Sequence, residues 1–308
     1  MIYTVTLNPA LDRELTVPNL VFDEVLRANA LRIDYGGKGF NVSRALAALG
    51  ADSVALGFVG GKTGEKLEAG LADLGIGTDF TWLGQETRTN VSVVSEQEPH
   101  YLKVNESGPT VTTAEQDALV AKVEELRRPG DWWVLAGSLP PGAAETIYAD
   151  VISRLNAVNA RAILDTSGVP LRHGCESGPY LVKPNAQEAE ELTGQPVETM
   201  DEACAAAETI QTMGTELVLI SMGGAGAILS SGSKAYRARP PRVEEKNPIG
   251  AGDAAVAGLV WGLSRGLPLP DVLRWSMAAG AAAASLEGTA VGSYEYVESL
   301  VGQVTILD

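Results

Sequence analysis

Hydrophobic positions fall into two patterns that alternate along the chain. Short, nearly unbroken apolar runs occupy residues 2–7, 53–59, 132–136, 162–165, 180–182 and 217–221. Between them lie stretches in which apolar side chains return every three or four residues, as in residues 39–49, where Val42, Ala45, Leu46 and Leu49 share one helical face. The pattern also predicts helices over residues 65–74, 143–157, 201–213, 251–265 and 270–286. Thr113 with Gln116 three residues on has the form of a capping box that opens another. Unbroken apolar runs suit strands buried on both faces of a parallel sheet. The alternation therefore predicts an α/β fold, a mostly parallel sheet with helices on both faces.

One region breaks the alternation. Residues 79–83, 89–95 and 100–104 read as short strands with no helix between them. With 14–17 and 31–35 they predict a small antiparallel sheet standing off the main body. Residues 225–230 and 234–238 predict a hairpin. No internal repeat or low-complexity linker divides the chain, so one main domain with an inserted small sheet is expected.

Composition narrows the function classes. The chain has 308 residues, enough to bury a substantial core. Its net charge is −16 with no basic stripe, so nucleic acid is not an expected partner. An anionic ligand would have to be met by a few local cations and backbone dipoles, against the overall field. Two cysteines, Cys175 and Cys204, and two histidines, His100 and His173, argue against a disulfide framework, a thiolate zinc site or a histidine metal cluster. The first residues read as a strand and not as a signal peptide, and no run is long and apolar enough for a membrane helix, so a cytoplasmic protein without membrane partners is expected.

In a parallel α/β sheet, ligands sit beyond the carboxyl ends of the strands, and the candidate chemistry falls there. Asn247-Pro248-Ile249-Gly250-Ala251-Gly252-Asp253 runs into a helix. Small residues let the backbone approach a ligand, and the free N–H groups of a helix start attract an anion. Asp253 beside such a site has the chemistry of a general base; by itself the segment reads rather as a turn with an acidic cap. Gly36-Gly37-Lys38-Gly39-Phe40-Asn41 is a second glycine-rich loop opening a helix, with Lys38 for an anion and Asn41 for sugar hydroxyls. After residues 180–182, Lys183-Pro184-Asn185 and Glu188 place two oxygen ligands three apart, suited to Mg²⁺ or to ordinary helix capping. Asp12 follows the first strand, Arg88 has a phosphate-gripping fork of donors, and Ser138 lies after the 132–136 run. Residues 57–63 mimic a P-loop but have Leu56 where glycine is required. No dinucleotide-binding G-x-G-x-x-G follows a strand, which disfavours an NAD-dependent dehydrogenase.

Taken in order, Thr6-Leu7-Asn8-Pro9 with Asp12, Gly36-Gly37-Lys38-Gly39 with Asn41, Thr87-Arg88, Gly137-Ser138-Leu139-Pro140, Lys183-Pro184-Asn185 with Glu188, and Gly250-Ala251-Gly252-Asp253 resemble the PfkB (ribokinase-like) carbohydrate kinase family. The opening Thr-Leu-Asn-Pro and Lys38 are similar to its 1-phosphofructokinase and tagatose-6-phosphate kinase subgroup. Asn247-Pro248 stands where many members have Asp-Thr or Ser-Thr, and Ala254 where Ser is frequent. The resemblance implies a ribokinase-like three-layer sandwich over 1–308, with a β lid formed from about 13–35 and 79–105 and a homodimer clasped through it. It implies ATP and Mg²⁺ as cofactors and a sugar phosphate as substrate. Asp253 is the implied base, with Gly250, Ala251 and Gly252 as the anion hole. Asp12, Gly37, Lys38, Asn41 and Ser138 are implied on the sugar, and Arg88 and Arg27 on its phosphate. Lys183, Asn185, Ser221, Gly223 and Gly226 are implied on the nucleotide, and Asn185 and Glu188 on the metal. Fructose 1-phosphate is the expected acceptor, with tagatose 6-phosphate and fructose 6-phosphate as rivals and a non-catalytic sugar- or nucleotide-binding protein as the alternative of another class.

Overall fold

The computed structural model describes residues 1–97, 100–232 and 234–307. The expected lid range includes residues 98 and 99, which lie outside the described residues, as do 233 and 308. In chain order the strands are β1 (Ile2–Thr6), β2 (Ala10–Val17), β3 (Ala30–Gly36), β4 (Val54–Gly60), β5 (Gly77–Thr78), β6 (Thr81–Leu83), β7 (Arg88–Ser95), β8 (Tyr101–Val104), β9 (Trp132–Ala136), β10 (Arg161–Asp165), β11 (Leu181–Val182), β12 (Leu217–Ser221), β13 (Ala227–Ser231), β14 (Lys234–Arg239) and β15 (Thr305–Leu307). The main sheet runs β15-β14-β13-β12-β11-β10-β9-β1-β4-β5, with β6 beside β4. It is parallel from β12 to β5 and β6, and antiparallel from β12 through β13 and β14 to β15.

The apolar runs are continuous because both faces of these strands are covered. Trp133 and Leu135 of β9 enter one core cluster, and Trp132, Val134 and Ala136 enter the other. Helices Thr113–Leu126, Ile147–Asn156, Gly168–Glu176, Ala186–Thr193 and Met200–Thr212 close the first face. Helices Lys38–Ala48, Ala251–Ser264, Leu269–Ala284 and Tyr294–Val301 close the second. The parallel strands share one carboxyl edge, so the residues following them gather there.

The second sheet has the order β3-β2-β7-β8. Its alternation separates two unlike faces. Register places Asp12 opposite Asn90 and Asp34, all on the polar face, whereas Ile33, Arg13 and Val91 share the other, as do Leu31, Leu15, Val93 and Leu102. Leu11 and Tyr35 pin one end of this second face to a cluster containing Phe40, Leu67 and Phe80. Further along, Leu31, Ile33, Leu102 and Val104 are exposed.

Three expectations need correction, and two helices were not expected. The small sheet is mixed: β2–β3 and β7–β8 are antiparallel, but β2–β7 is parallel, because the chain crosses the main sheet between β3 and β7 and returns in the same direction. Residues 81–83 belong to the main sheet, drawn there by the burial of Phe80 against Phe40 and of Leu83. The capping box near 113 is formed by Thr112 and Glu115. Glu115 accepts from the Thr112 N–H at 2.8 Å, while the side chain of Gln116 turns inward to Gly142 and Ala144. The helices Gly168–Glu176 and Tyr294–Val301 had no predicted counterpart. In the former, Pro170 reads as a breaker along the sequence but sits in the first turn, where no N–H is needed.

Candidate active site

The carboxyl edge of the main sheet opens into a cleft of about 390 Å³ between that edge and the polar face of the small sheet. Asp253 stands on its wall, at the third position of the helix Ala251–Ser264. The turn before the helix depends on Asn247, whose Oδ1 accepts from the Ile249 N–H and whose amide donates to the Gly288 carbonyl. Gly250 follows with φ +85°, a left-handed conformation that costs little without a Cβ. The Ala251 N–H donates to the Pro248 carbonyl. The N–H groups of Gly252 and Asp253 have no intrahelical acceptor by position, and they stand at the positive end of the helix.

The Asp253 carboxyl is 7% exposed as a residue and receives the Asn41 amide on Oδ2 at 2.8 Å. Burial, and then the negative charge of Asp165, push its pKa up to about 6, against the pull of Asn41, Lys38 and Lys183. Asp165 ends β10 and lies almost fully buried on the floor of the cleft. Its Oδ1 accepts from Lys38 at 3.0 Å, and its Oδ2 faces the Lys183 ammonium at 3.4 Å. Burial opposes its charge, but the two lysines outweigh that and hold its pKa below the usual carboxylate range. Burial likewise opposes the charge of Lys38, and Asp165 more than restores it.

On the small-sheet side, Asn90 donates to Asp12 Oδ1 at 2.7 Å, and burial raises the Asp12 pKa. Arg88 lines the cleft while its guanidinium bonds the carbonyls of Asn8 (2.8 Å), Pro9 (3.4 Å) and Glu106 (2.9 Å). It therefore fixes the turn from β1 to β2 as well as presenting charge. On the opposite side, Asn185 and Glu188 form a reciprocal cap at the start of the helix Ala186–Thr193, with Glu188 Oε2 accepting from the Asn185 N–H at 2.9 Å. Both line the cleft, with Glu188 Oε1 outside the cap. Among the described residues no group of three His, Cys, Asp or Glu side chains is placed to hold a metal. The pair suits a cation that keeps most of its waters and needs few protein ligands.

The cleft gathers Asp12, Gly37, Lys38, Asn41, Arg88, Lys183, Asn185, Glu188, Ser221, Gly250, Gly252 and Asp253, as expected from their order along the chain. Ser138, Ala251, Gly223 and Gly226 are not on its wall. Ser138 is exposed just past β9, Gly223 is exposed in a short turn, and Gly226 packs against the Ala238 carbonyl. Arg27 is exposed in the loop before β3. Sequence reasoning missed Asp165 and Asn90. Asp165 was legible as an acidic residue at the carboxyl end of an apolar strand run; Asn90 had no signal beyond its neighbour Arg88.

The model of the pfkB family carbohydrate kinases matches residues 6–295. The 1-phosphofructokinase of Bacillus subtilis is 36% identical over 306 residues, 99% of each chain. The ATP-dependent 6-phosphofructokinase isozyme 2 of Mycobacterium tuberculosis is 36% identical over 298 residues, 96% of this chain and 88% of its own. The crystal structure of phosphofructokinase-2 from Escherichia coli in complex with fructose-6-phosphate superimposes with a TM-score of 0.91 at 31% identity, covering 98% of both chains.

Proposed function

The chain belongs to the pfkB family of carbohydrate kinases, and on that premise we propose that it transfers the γ-phosphoryl group of ATP to fructose 1-phosphate, giving fructose 1,6-bisphosphate. Its fold is a ribokinase-like α/β sandwich, and it is an ATP-dependent sugar-phosphate kinase. The observation that carries the mechanism is the buried Asp253 carboxyl beside the N–H groups of a helix start. Asn41 occupies Oδ2, leaving Oδ1 to accept the proton of the attacking hydroxyl. The hydroxyl oxygen bonds the γ-phosphorus, the bond to the bridging oxygen breaks, and ADP leaves. Charge building on the moving group meets the N–H groups of Gly252 and Asp253 and the ammonium groups of Lys38 and Lys183. Above about pH 6 Asp253 is ionised and able to act.

Asp12, held through one oxygen by Asn90, keeps the other for sugar hydroxyls, with Gly37 and Ser138 nearby. Arg88 faces the phosphate already on the substrate. Lys183, Asn185 and Ser221 form the nucleotide side of the cleft, with Gly223 and Gly226 in the turn beyond Ser221 and off its wall. Asn185 and Glu188 would hold Mg²⁺ largely through its waters, and the ion would supply charge neutralisation on the nucleotide phosphates. The polar face of the small sheet serves as the lid, and its exposed apolar face pairs with that of a second copy. That arrangement would bring Arg27 to the partner's cleft. We place the reaction in the cytoplasm, where ATP is made.

Fructose 6-phosphate remains a second reading, supported by equal identity to the mycobacterial 6-phosphofructokinase. None of the three proteins compared above is a tagatose-6-phosphate kinase. A coupled ADP-release assay over hexose phosphates and free sugars tests the proposal. The expected outcome is a higher kcat/KM for fructose 1-phosphate than for fructose 6-phosphate, and little turnover of free sugars. Preference for fructose 6-phosphate selects the second reading, and turnover of free sugars alone refutes both.

A further inference from the structure

Asp253, Lys38 and Lys183 have roles in phosphoryl transfer as described, but the buried carboxylate of Asp165 on the cleft floor does not. Resting on the kinase reading of this cleft, we propose that Asp165 is a positioning residue, whose carboxylate ties the ammonium groups of Lys38 and Lys183 into one fork spanning the sugar and nucleotide sides of the phosphoryl path.

The two lysines come from opposite flanks. Lys38 opens the helix whose Asn41 holds Asp253, and Lys183 follows β11 just before Asn185 and Glu188. The Lys183 ammonium lies under the anion loop, 3.7 Å from where a Cβ on Gly252 would stand. A lysine is a point charge on a flexible four-carbon stem, and it does not hold a direction by itself. Asp165 supplies the direction: 3.0 Å from one oxygen to Lys38 and 3.4 Å from the other to Lys183, with 1% of its own side chain exposed. A carboxylate this deeply buried persists only beside compensating cations. Two cations on one anion leave that trio with one net positive charge, which offsets the ionised Asp253 and is fixed in place before the reaction begins.

Asp165 also bears on the base. The groups turned toward Asp253 are Asp165 from β10, Lys183 beyond β11, and Lys38 and Asn41 from the helix Lys38–Ala48. Removing the Asp165 charge takes away a repulsion that disfavours the Asp253 carboxylate, so the acid limb of the pH profile must move down.

The test compares wild type, Asp165→Asn, Asp165→Glu and Asp253→Asn, with kcat, both KM values, kcat/KM over about pH 5 to 9 and thermal unfolding. Wild-type turnover that Asp253→Asn abolishes establishes the kinase reading without reference to Asp165. Given that, Asp165→Asn is expected to lose about a hundredfold in kcat, the scale of a reacting group displaced by about 1 Å, and to shift the acid limb to lower pH. Asp165→Glu keeps the charge but lengthens the side chain. It is expected to lose kcat with the limb in place, and it carries the test if the neutral variant does not fold. Wild-type kcat in either variant, or an unmoved limb in a folded Asp165→Asn, overturns the positioning role alone. A wild type with no turnover on any hexose phosphate overturns the kinase reading and this proposal together.

Discussion

Asp253 illustrates how one carboxyl can serve chemistry at the expense of stability. In the unfolded chain it ionises near 3.8; in the folded protein burial and Asp165 raise that to about 6. Above that value the fold holds a carboxylate it disfavours. The penalty is full at neutral pH, shrinks as pH falls through the window between the two values, and is gone below the lower one. Asp253→Asn keeps an oxygen for the Asn41 amide and removes the charge. It is expected to lose at least about a hundredfold in kcat while melting at a higher temperature than wild type at about pH 8. Calorimetry at about pH 8 and about pH 4 checks the second half: the gain should vanish at the lower pH, and a variant less stable than wild type at the higher one contradicts the electrostatic account.

At the scale of elements, the site depends on backbone that turns sharply at strand ends. Gly250 and Gly36 show two different reasons for glycine. At Gly250 a Cβ would meet nothing within 4 Å, so only the left-handed backbone resists substitution. Gly250→Ala should cost about 1–2 kcal/mol in urea unfolding. At Gly36, the end of β3, a Cβ would stand 2.1 Å from Asp12 Oδ2. Gly36→Ala must push that carboxylate aside, and the expected result is a sugar-phosphate KM raised by about tenfold or more with the ATP KM unchanged. Equal rises in both constants would show that the two sides of the cleft are not separable.

At the scale of the molecule, the small sheet is a two-faced element. Its polar face completes the cleft and its apolar face is open, with Leu31, Ile33, Leu102 and Val104 exposed on it and Phe22 and Val25 in the adjoining loop. A contiguous apolar surface of this kind marks an interaction site. Light scattering is expected to give twice the chain mass for wild type and the chain mass for Leu31→Asp/Ile33→Asp. A monomeric wild type at tens of micromolar, roughly the range of a weak interface, would remove the clasped dimer.

The parallel strands of the main sheet, most of its helices and the carboxyl-edge placement of the chemistry were legible in the sequence, because burial on both faces and helical periodicity leave local marks; the helices Gly168–Glu176 and Tyr294–Val301 were not. Also legible were Asp253 with its glycine turn and the Asn185–Glu188 cap, whose partners lie within a few residues. Tertiary structure alone decided the rest. It moved residues 81–83 into the main sheet through the burial of Phe80 and Leu83, set β2 parallel to β7, and split the small sheet into a wet face and an apolar one. It also brought Asp165 between Lys38 and Lys183, 127 residues from the first. Such pairings follow from which strand neighbours which, and local pattern does not encode the order of strands in a sheet.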